Sequence, residues 1–201
     1  MKSILFATAL ALTAGAALAA ATVGQAAPDF TAVDASGKAV KLADFKGRHV
    51  VLEWVNPGCP YVRRHYDSAN MQGTQKEATS KGVVWLAVNS TAQDSGDYLA
   101  PAAMTQWMQS QKAAATATLM DADGRVGRAY GARTTPHMYI VNPAGTLVYA
   151  GAIDDQPRAS LADTPKANNH VKVALAESLA GKAVSTPSTR AYGCSVKYSS
   201  M

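Results

Sequence analysis

Cysteine is scarce: the 201-residue chain has two, Cys59 and Cys194. That scarcity excludes a disulfide-dense miniprotein and a four-cysteine zinc site, and leaves a single disulfide or a reactive thiol. Charge is sparse as well, at 16% of residues against 48% hydrophobic ones, which excludes a disordered, highly charged chain. The 19 basic and 14 acidic side chains give a net charge of +5, but no long basic run occurs. A mildly cationic surface follows, not a nucleic-acid footprint, and no nucleic-acid partner is expected. Internal repeats are lacking. The acidic pairs Asp94/Asp97, Asp121/Asp123 and Asp154/Asp155 do not form an EF-hand pattern and read as turn residues.

What is present begins with a leader. Lys2 is followed by the apolar run 4–14 and the small-x-small pattern Ala17-Leu18-Ala19, so residues 1–19 read as a cleavable export signal. The run is too rich in Ala, Thr and Gly for a membrane anchor, which needs ~20 firmly apolar residues. No later stretch approaches that length, so no membrane span is expected after cleavage. A periplasmic or secreted location follows, where a cysteine pair can persist as a disulfide.

The rest is long enough for one domain of ordinary size. Residues 20–27 are small and featureless and read as a linker. Residues 29–40 read as a hairpin about Asp34-Ala35-Ser36-Gly37. The nearly continuous apolar runs 49–55 and 83–89 are expected as strands buried on both faces. Between them, Pro60 opens a helix whose face carries Val62, Tyr66 and Ala69 and which ends by Gly82. A helix is expected over 97–112, with a short strand at 118–120 and a short helix at 124–130. Strands at 137–141 and 146–151 flank the turn Asn142-Pro143-Ala144-Gly145. A last helix carries Val171, Leu175 and Leu179 and stops at Gly181. The polar tail 182–201 carries Cys194. The order implies an α/β fold: a mixed central sheet, a parallel right-handed crossover at its centre, helices on both faces and an N-terminal β-hairpin.

Cys59 is the leading candidate for chemistry. It lies where a buried strand gives way to a helix, and the helix N-terminus, with its free N–H groups and partial positive charge, favours thiolate over thiol. Arg63, one turn on, can add to that field, whereas Arg64 and His65 are out of phase. The alternative is a buried structural cysteine, which its position after Pro57-Gly58 argues against. Glu53, inside a buried run, either holds and relays a proton from a raised pKa or pairs with a Lys or Arg. Cys194 resolves an oxidised Cys59, tethers the tail permanently, or stays free or pairs between molecules. Cys59, His65 and His137 could be imagined as soft-metal ligands, but such sites use paired cysteines close together and lone histidines are mostly satisfied surface or core groups, so no metal is expected.

The segment Leu52-Glu53-Trp54-Val55-Asn56-Pro57-Gly58-Cys59-Pro60-Tyr61-Val62 resembles the active-site segment of the thioredoxin superfamily. Ala27-Pro28-Asp29-Phe30 and Leu42-Ala43-Asp44-Phe45-Lys46-Gly47 resemble the lead-in of its redoxin branch, the alkyl hydroperoxide reductase/thiol-specific antioxidant family. Tyr130-Gly131-Ala132-Arg133-Thr134-Thr135-Pro136 resembles the Thr-cis-Pro loop, and segments 151–155 and 193–197 resemble recurrent stretches of a bacterial subgroup. The resemblance covers nearly all of 28–181, read as one redoxin domain, and reaches into the tail. It implies a thioredoxin-like fold, a cis bond before Pro136, Thr135 lying against Cys59, and Pro60, Tyr61, Thr135 and Pro136 lining the substrate site. It also aligns Glu53 with the superfamily's buried acid. Two departures matter: Val62 stands where thioredoxins have a second cysteine, and Asn56 stands where peroxiredoxins have a peroxide-positioning threonine.

The resulting expectation is a thiol–disulfide oxidoreductase with Cys59 as nucleophile, Cys194 as possible resolver, and Glu53 and Arg63 in support. Its partners would be a protein disulfide or dithiol and an external thiol reductant. Peroxide reduction at Cys59 is the alternative, and a non-catalytic binding module with a structural Cys59–Cys194 disulfide the second. No organic cofactor is implied, because the sulfur itself does the chemistry.

Overall fold

The computed structural model describes residues 20–200, and the expected export signal, 1–19, lies outside them. The first elements are β1 (Thr31–Asp34) and β2 (Ala39–Lys41), paired antiparallel as the expected hairpin. Asp34 Oδ1 closes their turn by accepting from the backbone N–H groups of Ser36 at 2.8 Å and Lys38 at 3.0 Å.

Next come β3 (Val50–Trp54), α1 (Pro60–Asp67), α2 (Asn70–Ser80) and β4 (Val84–Asn89). The following elements are α3 (Pro101–Ser110), β5 (Ala117–Met120), α4 (Arg125–Tyr130), β6 (Thr134–Thr135) and β7 (His137–Val141). The chain finishes with β8 (Leu147–Gly151), α5 (His170–Leu179) and β9 (Cys194–Ser195). Seven strands form one mixed sheet in the order β2-β1-β5-β4-β3-β7-β8, and β6 pairs with β9 apart from it. The centre is parallel, with β4 between β3 and β5, and the antiparallel hairpins flank it.

Every residue of β3 and β4 is buried. The period of two sends alternate side chains into two cores. Val51, Trp85, Met138 and Ile140 meet Val62 and Tyr66 of α1, Met71 of α2, Met104 of α3 and Leu175 of α5. On the opposite face Leu52, Trp54, Leu86 and Tyr139 meet Val126 and Tyr130 of α4. Helices thus cover both faces of a thioredoxin-like α/β fold, but unequally: four on one side and α4 on the other.

The expected long helix after Cys59 is two helices. It breaks at Ala69, whose φ of 59° lies in the left-handed region. The Tyr66 carbonyl freed at the end of α1 accepts from the Gln72 side chain at 2.8 Å and from the Ala69 N–H at 3.0 Å, which satisfies the open end. Helix α3 starts at Pro101, four residues later than the expected 97. Residues 20–27, read as a linker, are tied along the domain: Ala21 N–H donates to Ala129 O at 3.0 Å and Gly24 N–H to Leu147 O at 2.8 Å. No helix among the described residues is long and apolar enough to cross a membrane.

Candidate active site

Cys59 is the N-cap of α1, in extended backbone conformation, with Pro60 at the first helical position. Proline costs nothing there, since its missing N–H would have had no intrahelical partner. Asn56 shapes the approach: its Oδ1 accepts from Gly58 N–H at 2.7 Å and its carbonyl from Cys59 N–H at 3.0 Å. The helix that begins here presents its free N–H groups to whatever sits at its head.

Gly58, Pro60 and Tyr61 are exposed, yet Cys59 is only 2% exposed. Its cover is the cis-proline loop and the tail. The Thr135–Pro136 bond is cis, as the resemblance implied, and Cys59 Sγ donates to Thr135 O at 3.0 Å. Beside that loop β9 pairs antiparallel with β6, Cys194 standing opposite Thr135 and Ser195 opposite Thr134. Both cysteines are free thiols, and the Cys194 side chain lies close enough to that of Cys59 to perturb its titration. Burial, then the hydrogen bond and charge of Cys59, push the Cys194 thiol up to about 11, against a smaller pull from the Tyr61 N–H and Lys197. Cys194 therefore keeps its proton at neutral pH, beside the sulfur at the helix head.

Glu53 lies on the Cys59 side of the sheet and is fully buried. Its Oε2 accepts from Trp85 Nε1 at 2.7 Å and Gln75 Nε2 at 2.9 Å, and its Oε1 from the Tyr66 hydroxyl at 2.8 Å. Burial raises its pKa, and the three donors pull the other way. Neither Lys nor Arg is among these partners, and Tyr66 connects the acid to α1 without a bond from Glu53 to Cys59. Arg63 is exposed, and its backbone N–H donates to Cys59 O at 3.0 Å. Its side chain makes no hydrogen bond or ion pair among those of the described residues.

Sequence reasoning missed a polar socket beside the thiols. Tyr192, two residues before Cys194, directs its hydroxyl to Asp154 Oδ1, with His65 Nε2 at 3.0 Å and Arg64 Nη2 at 3.2 Å. His65 and Asp154 are buried, whereas their local sequence reads as an out-of-phase helix residue and a turn residue. The available signal was the nearness of Tyr192 to Cys194 together with the segment 151–155. His137 instead stacks on Tyr139 with ring centroids 4.5 Å apart. Among the described residues no group of three or more His, Cys, Asp or Glu could hold a metal ion.

Fold and site together define a thioredoxin-like protein with one thiol at a helix head and a second delivered by its tail. The model of the AhpC/TSA family matches residues 23–150, and the chain belongs to that family. It is similar to the thiol-disulfide oxidoreductase ResA of Bacillus subtilis (strain 168), 26% identical over 132 residues. That match takes in 62% of this chain and 64% of the relative, less than two thirds of its length. An uncharacterized conserved protein from Geobacillus kaustophilus is similar over 90% of this chain and 94% of its own, at 26% identity and a TM-score of 0.79. The thioredoxin domain of a thiol-disulfide oxidoreductase from Bacteroides vulgatus is 25% identical with a TM-score of 0.51, over 64% of this chain and 87% of that one. The Geobacillus likeness extends past residue 150, where the family match ends.

Proposed function

We propose that the protein is an exported thiol–disulfide oxidoreductase whose working pair is Cys59 and Cys194. The observation that carries this reading is the register of β9 on β6, which sets Cys194 opposite Thr135 and its thiol against Cys59. The Cys59 thiolate attacks a substrate disulfide, forming a mixed disulfide and releasing one substrate sulfur, which takes up a proton. Cys194, after giving up its proton, attacks the Cys59 sulfur. The Cys59–Cys194 disulfide forms and the second substrate thiol leaves, so two electrons pass from the pair to the substrate. An external dithiol reverses these steps on the protein and restores both thiols. Pro60, Tyr61, Thr135 and Pro136 border the sulfur and would orient the partner chain. Glu53 is a proton reservoir beneath it, and Arg63 contributes field from the surface. The 1–19 leader would deliver the protein to the periplasm or beyond, where such a disulfide survives.

Membership of the AhpC/TSA family favours a second reading. In it Cys59 thiolate takes the terminal oxygen of a peroxide, giving a sulfenic acid and an alcohol or water. Cys194 then condenses with the sulfenic acid, forming the same disulfide and one water. Asn56 in place of threonine weighs against it. Reduced protein mixed in single turnover with a model disulfide, and separately with peroxide, tests both readings when the products are mapped by mass. Cys194→Ser should accumulate a Cys59 mixed disulfide, and Cys59→Ser should not react. A wild-type protein unchanged by either oxidant would refute both readings and leave the non-catalytic module.

A further inference from the structure

The tail runs across the site as a strap fixed at many points. Before Cys194, Thr189 Oγ1 lies 2.7 Å from the Tyr149 hydroxyl and accepts from Ala152 N–H at 2.9 Å. After it, Val196 N–H donates to Arg133 O at 3.0 Å, and the Tyr198 hydroxyl to Ala132 O at 2.8 Å. These are neutral bonds at the rim. The charged contact of the strap closest in sequence to Cys194 is Tyr192 in its socket.

The socket has a consistent hydrogen-bond order. Asn70 Nδ2 donates to His65 Nδ1 at 2.9 Å, which leaves the proton of a neutral His65 on Nε2. Burial keeps His65 neutral, with a pKa down at about 4; Asp154 raises it and Arg64 lowers it. His65 Nε2–H and Arg64 Nη2 therefore donate to the Tyr192 oxygen, and Tyr192 donates its own proton to Asp154. Arg64 also donates to the carbonyls of Gln156, Pro157 and Ala159, which fixes the wall of the socket. Asp154 Oδ1 also accepts from Gln156 N–H at 3.0 Å, while Oδ2 has no hydrogen-bond partner among the described residues, so Tyr192, arriving from the tail, is the one side chain among them that donates a hydrogen bond to this buried carboxylate.

We propose that Tyr192 is a positioning residue: seated between His65, Asp154 and Arg64, it latches the tail over Cys59 and holds Cys194 in the strand position beside Thr135. The proposal rests on the reading of Cys59 and Cys194 as the working pair, but its test does not use their reaction. With the latch closed, Cys59 is covered, and an incoming partner chain reaches it only after the tail opens. Such an opening is local: it breaks the two-residue ladder and the socket and leaves the seven-stranded sheet intact.

The experiment measures alkylation of Cys59 in the reduced full chain, wild type against Tyr192→Phe, at one pH and at several low urea concentrations. Phe keeps the ring, which stacks on Tyr61 with centroids 5.8 Å apart, and removes only the hydroxyl. When opening is fast and labelling slow, the labelling rate is proportional to the open fraction. Tyr192→Phe should label Cys59 about tenfold faster, with almost no urea dependence and an unchanged global unfolding midpoint. Tyr192→Ala should go further in the same direction. An unchanged labelling rate would overturn the proposal. So would a rise with the steep urea dependence of global unfolding, the mark of a merely structural residue. If the wild-type pair fails to form a disulfide on oxidation, the redox reading falls, while the labelling still decides the latch.

Discussion

Gly193 gives the sharpest test of how the second thiol is delivered. Its φ is 138°, a conformation that L side chains rarely adopt, and a Cβ built there would lie 2.0 Å from Thr135 O and 2.7 Å from Thr135 C. The obstacle is backbone, and it is the same carbonyl that accepts from Cys59 Sγ. Restoring ordinary contact in Gly193→Ala requires the tail to retreat by about 1 Å or more. A misplacement of that size at a reacting centre costs ~10²-fold in rate. The substitution should therefore slow closure of the Cys59–Cys194 disulfide by about two orders of magnitude. Attack of Cys59 on an external disulfide should become faster, because its cover has been lifted. Stopped-flow mixing with a chromogenic disulfide separates the two: the first phase accelerates, the second slows, and mass spectrometry finds the mixed disulfide in between. A Gly193→Ala protein that closes its pair at the wild-type rate would refute the claim that β9 register positions Cys194.

Two other predictions follow from titration. Cys59→Ala removes the hydrogen bond and charge that help hold the Cys194 proton, so the pH midpoint of Cys194 alkylation should fall below about 11; an unmoved midpoint would mean that burial alone sets it. Burial raises the Glu53 pKa in the folded state, so the fold keeps a proton that the unfolded chain releases near ~4.3. That contribution to stability is complete below the unfolded value and is lost as pH rises through the raised folded one. Urea unfolding of wild type between pH 4 and 9 should show this decline, and Glu53→Gln should flatten it; an identical pH slope in the variant would remove Glu53 as its source.

Much of the frame was legible because local chemistry and tertiary role agree. The run 49–55 became β3, Pro60 opened α1 directly after Cys59, and Asn142 to Gly145 turned β7 into β8. The break at Ala69 was not legible: Met71 and Ala78 continue the apolar pattern, and the left-handed residue is stabilised by Gln72 reaching back to Tyr66. Nor was β9, since two residues carry no periodicity and the strand exists only through its pairing with Thr134 and Thr135. The Tyr192 socket joins residues 127 and 38 positions apart in sequence, a distance that spacing rules along one helix or strand do not span. Cys59 could be picked out from its own neighbours, whereas its partners were set by how distant segments close over it.

The strap also carries an optical consequence. Tyr198 packs over Gly127 and Ser90, so closely that a Cβ at Gly127 would lie 2.3 Å from its hydroxyl and 2.7 Å from Ser90 Oγ. That same serine oxygen accepts from the Trp54 indole at 3.0 Å. Departure of Tyr198 admits water to Ser90 and changes the polarity felt by an otherwise dry indole. In a protein whose Trp85 and Trp107 are replaced, Trp54 emission would thus report in real time whether Tyr198 is seated, without any attached dye.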